Sequence, residues 1–341
     1  MTNLTISLDA MGGDFGVTVV AKAAVDYLKE HSGITLILVG DEKLIQAELN
    51  KLNANTNEYL KIHHASQKVE MDEHPSQALR NKKDSSMRVA INLVKEGIAD
   101  AAVSAGNTGA LMATARYVLK TLSGIDRPAI TSAMPSMRGK TYMLDLGANV
   151  GCSSQHLLEF AVMGSVLSTA VDGNKQPKVA LLNIGEEEIK GNEQVKEADA
   201  VLRLSGLNYI GYVEGDDIYC GDVDVVVCDG FVGNVSLKTS EGVAKIVAHY
   251  AKQEFNRNFF TKLCGLFALP VLKAFKTRID PRRYNGASLL GLRGVVVKSH
   301  GGADAYSFQR AIDIARIEAS QQVPKRIESQ IEEFLKYKSV A

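Results

Sequence analysis

Short β-branched apolar runs recur along this chain, each followed by a Gly or Asp turn and then an amphipathic stretch. The predicted strands are Thr5–Asp9, Thr35–Val39, Ala101–Ser104, Tyr142–Asp145, Val179–Ile184, Tyr209–Val213, Val223–Cys228 and Val295–Lys298. Helical periodicity fits Gly16–His31, Glu42–Lys51, Ser86–Glu96, Thr108–Lys120, Ser154–Ala170, Glu193–Ser205, Val235–Gln253, Ala305–Ala319 and Lys325–Lys336. Such alternation predicts an α/β protein, a three-layer α/β/α arrangement with a mostly parallel sheet covered on both faces by helices. No repeat, low-complexity tract or Pro/Gly/Ser linker interrupts it. One unit across residues 1–341 is therefore expected, with a helical appendage at about 255–280.

Composition narrows the function classes. Hydrophobic residues make up 45% and charged residues 23%, which excludes a disordered chain. Cys152, Cys220, Cys228 and Cys264 lie far apart with no C-x-x-C pair, which argues against a disulfide scaffold or a structural zinc site. The apolar stretch after Met1 lacks a basic flank and a cleavage site, so no signal peptide is expected. The best spanning candidate, Leu263–Leu272, is shorter than the roughly 18 residues a bilayer needs and contains Pro270. A cytoplasmic location follows as an expectation. Lys plus Arg equal Asp plus Glu at 39 each, so no global charge favours nucleic acid. The balance is uneven, however. Phe255–His300 holds nine cations (257, 262, 273, 276, 278, 282, 283, 293, 298) against one acid, Asp280; that window carries +8 and the rest of the chain −8.

In open α/β sheets, ligands bind beyond the carboxyl ends of the strands. This chain concentrates Gly and Asn there, in Asp9–Asp14, Ser104–Gly109, Asp145–Gly151, Asn183–Glu193, Asp229–Asn234 and Ser299–Asp304. Glycine lets the backbone approach a ligand, and a following helix offers unpaired N–H groups and a positive dipole end. Each loop alone reads equally as an ordinary turn with a capping Asn or Asp. Six at a single edge point to a phosphate-type anion. No P-loop and no dinucleotide fingerprint is present, so an NAD or ATP site lacks sequence support.

Other groups leave alternatives open. Asp9, Asp14, Asp145 and Asp229 suit either Mg²⁺ or turn capping, with capping favoured. His63, His64 and His74 lack ligand spacing and read as surface residues. Cys152 reads as a small buried thiol rather than a nucleophile, since no His partner lies near it in sequence. Lys190, in the loop GEEEIKGNE, is equally a solvated lysine or an anion ligand.

LDAMGGDFG (Leu8–Gly16), SAGNTGA (Ser104–Ala110), LDLGAN (Leu144–Asn149), LNIGEEEIKGNE (Leu182–Glu193), CDGFVGNVSLKTSEG (Cys228–Gly242) and NGASLLGLRGVVVKSHGGAD (Asn285–Asp304) occur in that order. Together they closely resemble the bacterial phosphate acyltransferases of phospholipid synthesis (acyl-acyl carrier protein:phosphate acyltransferase). The resemblance covers nearly the whole chain. It implies a fold similar to the isocitrate/isopropylmalate dehydrogenases and phosphotransacetylases, and a homodimer that turns acyl-acyl carrier protein and inorganic phosphate into acyl phosphate. Neither cofactor nor metal is expected. Phosphate is itself a nucleophile, so positioning and oxyanion stabilisation suffice for the chemistry. Lys190 and Asn234 fall in matched motifs and are expected to neutralise and donate to the reacting centre, with His300 as acid for the departing thiolate. Asp9, Gly12, Gly13, Ser104, Gly106, Asn107, Asn149 and Gly233 are expected to line the phosphate cradle.

The cationic window also holds Phe255, Phe259, Phe260, Phe267 and Phe275, with Leu266 and Leu269 between them. Phe259, Phe260, Leu266, Phe267 and Leu269 are expected to pack a dimer or enter an anionic membrane surface peripherally. The same cations also suit an acidic carrier protein. Pro270 predicts two short helices here. Two rival classes stay open at this level: a metal-dependent β-decarboxylating dehydrogenase on the same fold, and a non-catalytic membrane scaffold for the carrier protein. No nucleic-acid-reading feature is present.

Overall fold

The computed structural model describes residues 4–340. The strands are β1 (Leu4–Asp9), β2 (Ile34–Gly40), β3 (Leu60–His64), β4 (Ala101–Ser104), β5 (Ala129–Ser136), β6 (Gly139–Leu144), β7 (Val179–Leu182), β8 (Tyr209–Val213), β9 (Val225–Val227), β10 (Ala287–Leu290) and β11 (Val295–Lys298). The helices are α1 (Gly16–Glu30), α2 (Glu42–Lys51), α3 (Pro75–Asn81), α4 (Ser86–Lys95), α5 (Thr108–Leu119), α6 (Ser154–Asp172), α7 (Glu193–Arg203), α8 (Asp217–Cys220), α9 (Gly230–Phe255), α10 (Phe259–Ile279), α11 (Ala305–Ser320) and α12 (Val323–Val340).

One sheet runs through the molecule in the order β3-β2-β1-β4-β11-β10-β5-β6-β9-β7-β8. Its pairings are parallel except where β10 meets β11 and β5 and where β5 meets β6, so the α/β, mostly parallel expectation is met. The most apolar strands behave as doubly covered strands should: β2 is buried at every residue, as are β4 and β11, whose polar residues Ser104 and Lys298 come at their ends. Helices α1 and α11 seal one face of the β1 half, burying Tyr27 and Phe308. Helices α4 and α5 seal its other face with Met87, Ile91 and Leu111. On the β6 half, α6 buries Leu157, Phe160 and Met163 on one face, while α8 and α9 contribute Ile218 and Leu237 on the other.

The antiparallel pairings change the geometry of the strand ends. The β5–β6 hairpin turns through Met137 and Arg138 and pairs Ser136 with Gly139. It sends β6, β9 and β7 in the direction opposite to β1, β4 and β11. The expectation that six Gly- and Asn-rich loops share one edge is thereby corrected: three lie at each edge.

Two corrections concern the appendage. Helix α10 continues through Pro270, and the break falls instead at residues 256–258. Asn258 causes it: its side chain accepts the Thr261 N–H at 2.9 Å, and the Thr261 hydroxyl accepts the Asn258 N–H at 3.0 Å, a reciprocal cap that starts α10 afresh. The carbonyl freed by Pro270, that of Leu266, lies on an exposed stretch of the helix. The appendage also begins earlier than expected, because α9 is exposed from Val243 to Glu254. The chain bends by 120° between α9 and α10. Among the described residues no single helix is long and apolar enough to cross a membrane.

Candidate functional site

The loops after β1, β4 and β11 close on a buried carboxylate. Asp9 is 1% exposed and accepts the Ser86 and Ser104 hydroxyls, each at 2.6 Å, with the Met11 N–H at 3.3 Å. Burial raises its pKa, and these donors oppose the rise. Ser104 in turn accepts the Gly106 N–H at 3.0 Å. Gly12 lies so close that a Cβ would sit 2.8 Å from the Gly106 nitrogen, and Gly13, with φ +88°, lies against the Gly301 carbonyl. Asp9 and Ser104 thus hold the two glycine loops together. Asn107 caps α5 through the Ala110 N–H at 2.9 Å and donates to the Met71 and Glu73 carbonyls at 2.7 and 3.1 Å. His300 is exposed; its Nδ1 accepts the Gly302 N–H at 3.0 Å, so in the neutral ring Nε2 carries the proton.

This cluster holds a residue that sequence reasoning missed. Lys298 ends β11 at 9% exposure, donating to the carbonyls of Ala105, at 3.3 Å, and Ser299. Burial pushes its ammonium down to about 8, against the opposing pull of Asp9 and Asp14. The available signal was a lysine closing an otherwise apolar, fully buried strand; such a cation is retained only where something uses or neutralises it.

The loops after β6, β7 and β9 form the second cluster around Asp145, which is fully buried. It accepts the N–H groups of Ile130, Ala148 and Asn149 at 2.8, 3.2 and 2.7 Å and the Asn149 amide at 3.0 Å. Asn149 also donates to the Pro128 carbonyl at 2.8 Å, so its side chain holds the loop. Asp229 caps α9 through the Phe231 N–H and accepts the Cys152 N–H, both at 2.8 Å. Helix α9 therefore starts at Gly230, not at Val235. Asn234 lies in its second turn, beside Gly147 and 3.2 Å from the Leu146 carbonyl. Gly233 makes this approach possible, since a Cβ there would lie 1.9 Å from the Asp145 carbonyl oxygen. Lys190 pairs with Glu187 at 2.8 Å, and that hydrogen bond raises its pKa. Asn183 ties this loop by donating to the Gly185 and Lys190 carbonyls at 3.0 and 3.3 Å.

Helix α9 connects the clusters. Four residues after Asn234, and so on the same face, Lys238 comes close enough to Lys298 for like-charge repulsion to lower the Lys298 pKa further. The acidic residues divide, Asp9 with Asp14 at one edge and Asp145 with Asp229 at the other. Burial pushes the Cys152 thiol up to about 12 and also raises Cys228, so neither is a thiolate at neutral pH.

The chain matches the family described as fatty acid synthesis protein over residues 4–326. It is 62% identical to the phosphate acyltransferase of Alkalilimnicola ehrlichii over 98% of this chain and 97% of that protein. It is likewise 62% identical to the phosphate acyltransferase of Nitrosococcus oceani, over 98% of each. The chain belongs to the phosphate acyltransferase family. Among solved structures, a phosphotransacetylase from Streptococcus pyogenes matches with a TM-score of 0.65 over 93% of this chain and 94% of that one. At 19% identity that likeness establishes the fold alone.

Proposed function

We propose that the chain transfers the acyl group of an acyl-acyl carrier protein thioester to inorganic phosphate in a ternary complex. A phosphate oxygen adds to the thioester carbonyl carbon at a centre between the two loop clusters that α9 joins; the tetrahedral oxyanion collapses, the C–S bond breaks, and the thiolate takes up, by way of the His300 ring, the proton that the attacking hydrogen phosphate gives up. Acyl phosphate and free carrier protein result. Full-length 62% identity to a phosphate acyltransferase carries this reading. The raised Cys152 and Cys228 thiols support it, because with no activated protein nucleophile among them phosphate itself attacks. Lys190, and Asn234 through the amide hydrogen it does not give to the Leu146 carbonyl, act on the developing oxyanion, where one positioned donor is worth about 10²–10³ in rate. The test supplies acyl-acyl carrier protein and phosphate and traps product with hydroxylamine. Phosphate-dependent hydroxamate equal to the thiol released is expected; thiol release without phosphate dependence overturns the proposal.

The appendage extends this reading to a homodimer at a membrane surface. Phe259, Phe260 and Phe267 are each more than 70% exposed, and Leu266 and Leu269 are exposed with them. Val243, Ile246, Val247 and Tyr250 add an exposed apolar stripe on α9. Apolar surface of this extent marks an interaction site. The α9 stripe suits a second copy, and the Phe-rich α10, whose described acid-free turns carry Lys262 and Lys273, suits anionic lipid.

A further inference from the structure

Helices α3, α4 and α5 contain no Asp or Glu, and they pack together. Their outer surface centres on Tyr117, 53% exposed, with the Arg88 guanidinium 5.3 Å and the Lys120 ammonium 4.8 Å from its ring centroid. Arg293 joins the group, its Nε donating to the Thr121 carbonyl at 3.1 Å. Arg88, Lys120 and Arg293 have no ion-pair partner among the described residues. The next acid along the chain, Asp126, is already engaged by His156 at 2.7 Å. Cations held over an aromatic ring with no counterion form a preorganised face for negative charge.

The position of this face in the fold argues for its occupant. Gly109, Arg116 and Tyr117 are exposed on α5 and Lys120 directly after its last residue, and α5 is capped at its start by Asn107 in the Asp9 cluster. A helix rises about 1.5 Å per residue, so α5 leads from that cluster to Lys120 over roughly 17 Å. A thioester borne on a carrier protein's arm needs this arrangement: a surface for the protein body, displaced from the reacting centre by the arm's length. The cations of α10 stand instead among exposed Phe and Leu, a surface suited to lipid.

We propose that the Tyr117–Arg88–Lys120–Arg293 face docks the acidic body of the acyl carrier protein. This rests on the acyl-transfer reading and deepens it. The experiment compares the wild-type chain with Lys120→Glu/Tyr117→Ser and with the milder Lys120→Gln, each checked for its unfolding temperature. The charge-reversed variant is expected to raise the KM for acyl-acyl carrier protein about tenfold, with kcat and the KM for phosphate unchanged. Lys120→Gln is expected to raise it less, and raised salt to shrink both differences. An unchanged carrier KM, or an equal rise in the phosphate KM, overturns the proposal. A change in oligomeric mass assigns the face to a second copy, and lost sedimentation with anionic vesicles assigns it to lipid; either overturns it too. Titration with labelled carrier protein needs no turnover. It tests the docking face even if the wild-type chain forms no acyl phosphate, an outcome that would instead defeat the acyl-transfer reading.

Discussion

The Lys190 ammonium lies 2.8 Å from the Glu187 carboxylate, three residues earlier in the same glycine-flanked loop. An anionic substrate must exchange places with Glu187 to reach it. Lys190→Ala is expected to lower kcat/KM by about 10²–10³. Glu187→Gln is expected to lower the KM for phosphate while leaving kcat near wild type. Initial rates against phosphate concentration check both, and near-normal turnover in Lys190→Ala removes the assigned role.

Lys298 predicts a pH dependence. Its ammonium titrates at about 8 in the fold against 10.5 in the open chain, so between those values the unfolded state binds more protons and stability rises with pH. Against Lys298→Met, wild type should gain about 3 kcal/mol between pH 7.5 and pH 11, read by urea unfolding. If the charged form organises the Asp9 cluster, activity falls as pH rises through about 8. Lys298→Arg, which stays charged, should lose that limb of the profile. A limb identical in Lys298→Arg and wild type assigns it to another group.

Gly233 and Gly242 lie in one helix but should respond oppositely to alanine. At Gly233 a Cβ would lie 1.9 Å from the Asp145 carbonyl oxygen, so Gly233→Ala should cost about 1–3 kcal/mol and disturb the Asp145 loop. At Gly242 nothing lies within 4 Å, and Gly242→Ala should stabilise by about 1 kcal/mol through helix propensity. Thermal unfolding of the pair measures the contrast. Equal effects would mean that α9 does not approach β6 as described.

Phe267 is 78% exposed on α10. Phe267→Asp should abolish co-sedimentation with anionic vesicles while changing unfolding by no more than about 0.5 kcal/mol. Unchanged sedimentation removes the membrane assignment.

Much of the fold was legible in local pattern. Strands β4, β8 and β11 fall at their expected residues, and β1 within one, because short apolar β-branched runs bounded by turns carry their own signal. Strands β3, β5 and β10 were missed. The first is a half-exposed edge strand; β5 includes Pro135 and two alanines; β10 is four residues of mixed character. None has a strong strand composition, and each is held by its neighbours in the sheet. Much the same divides the site. Glycine loops announce themselves in sequence, whereas the environment of Lys298 depends on what covers it.

The sequence by itself determined the α/β alternation, the glycine- and asparagine-rich strand ends, the acid-poor aromatic arm and the family resemblance, all of which are properties of neighbouring residues. The tertiary structure alone decided that the loops divide between two edges, that Asp9 and Asp145 each gather one group, and that α9 joins them. Strand direction is set by non-local pairing through the β5–β6 hairpin and β10, and a side chain's burial is set by elements distant in sequence. Neither is encoded at the residue it governs.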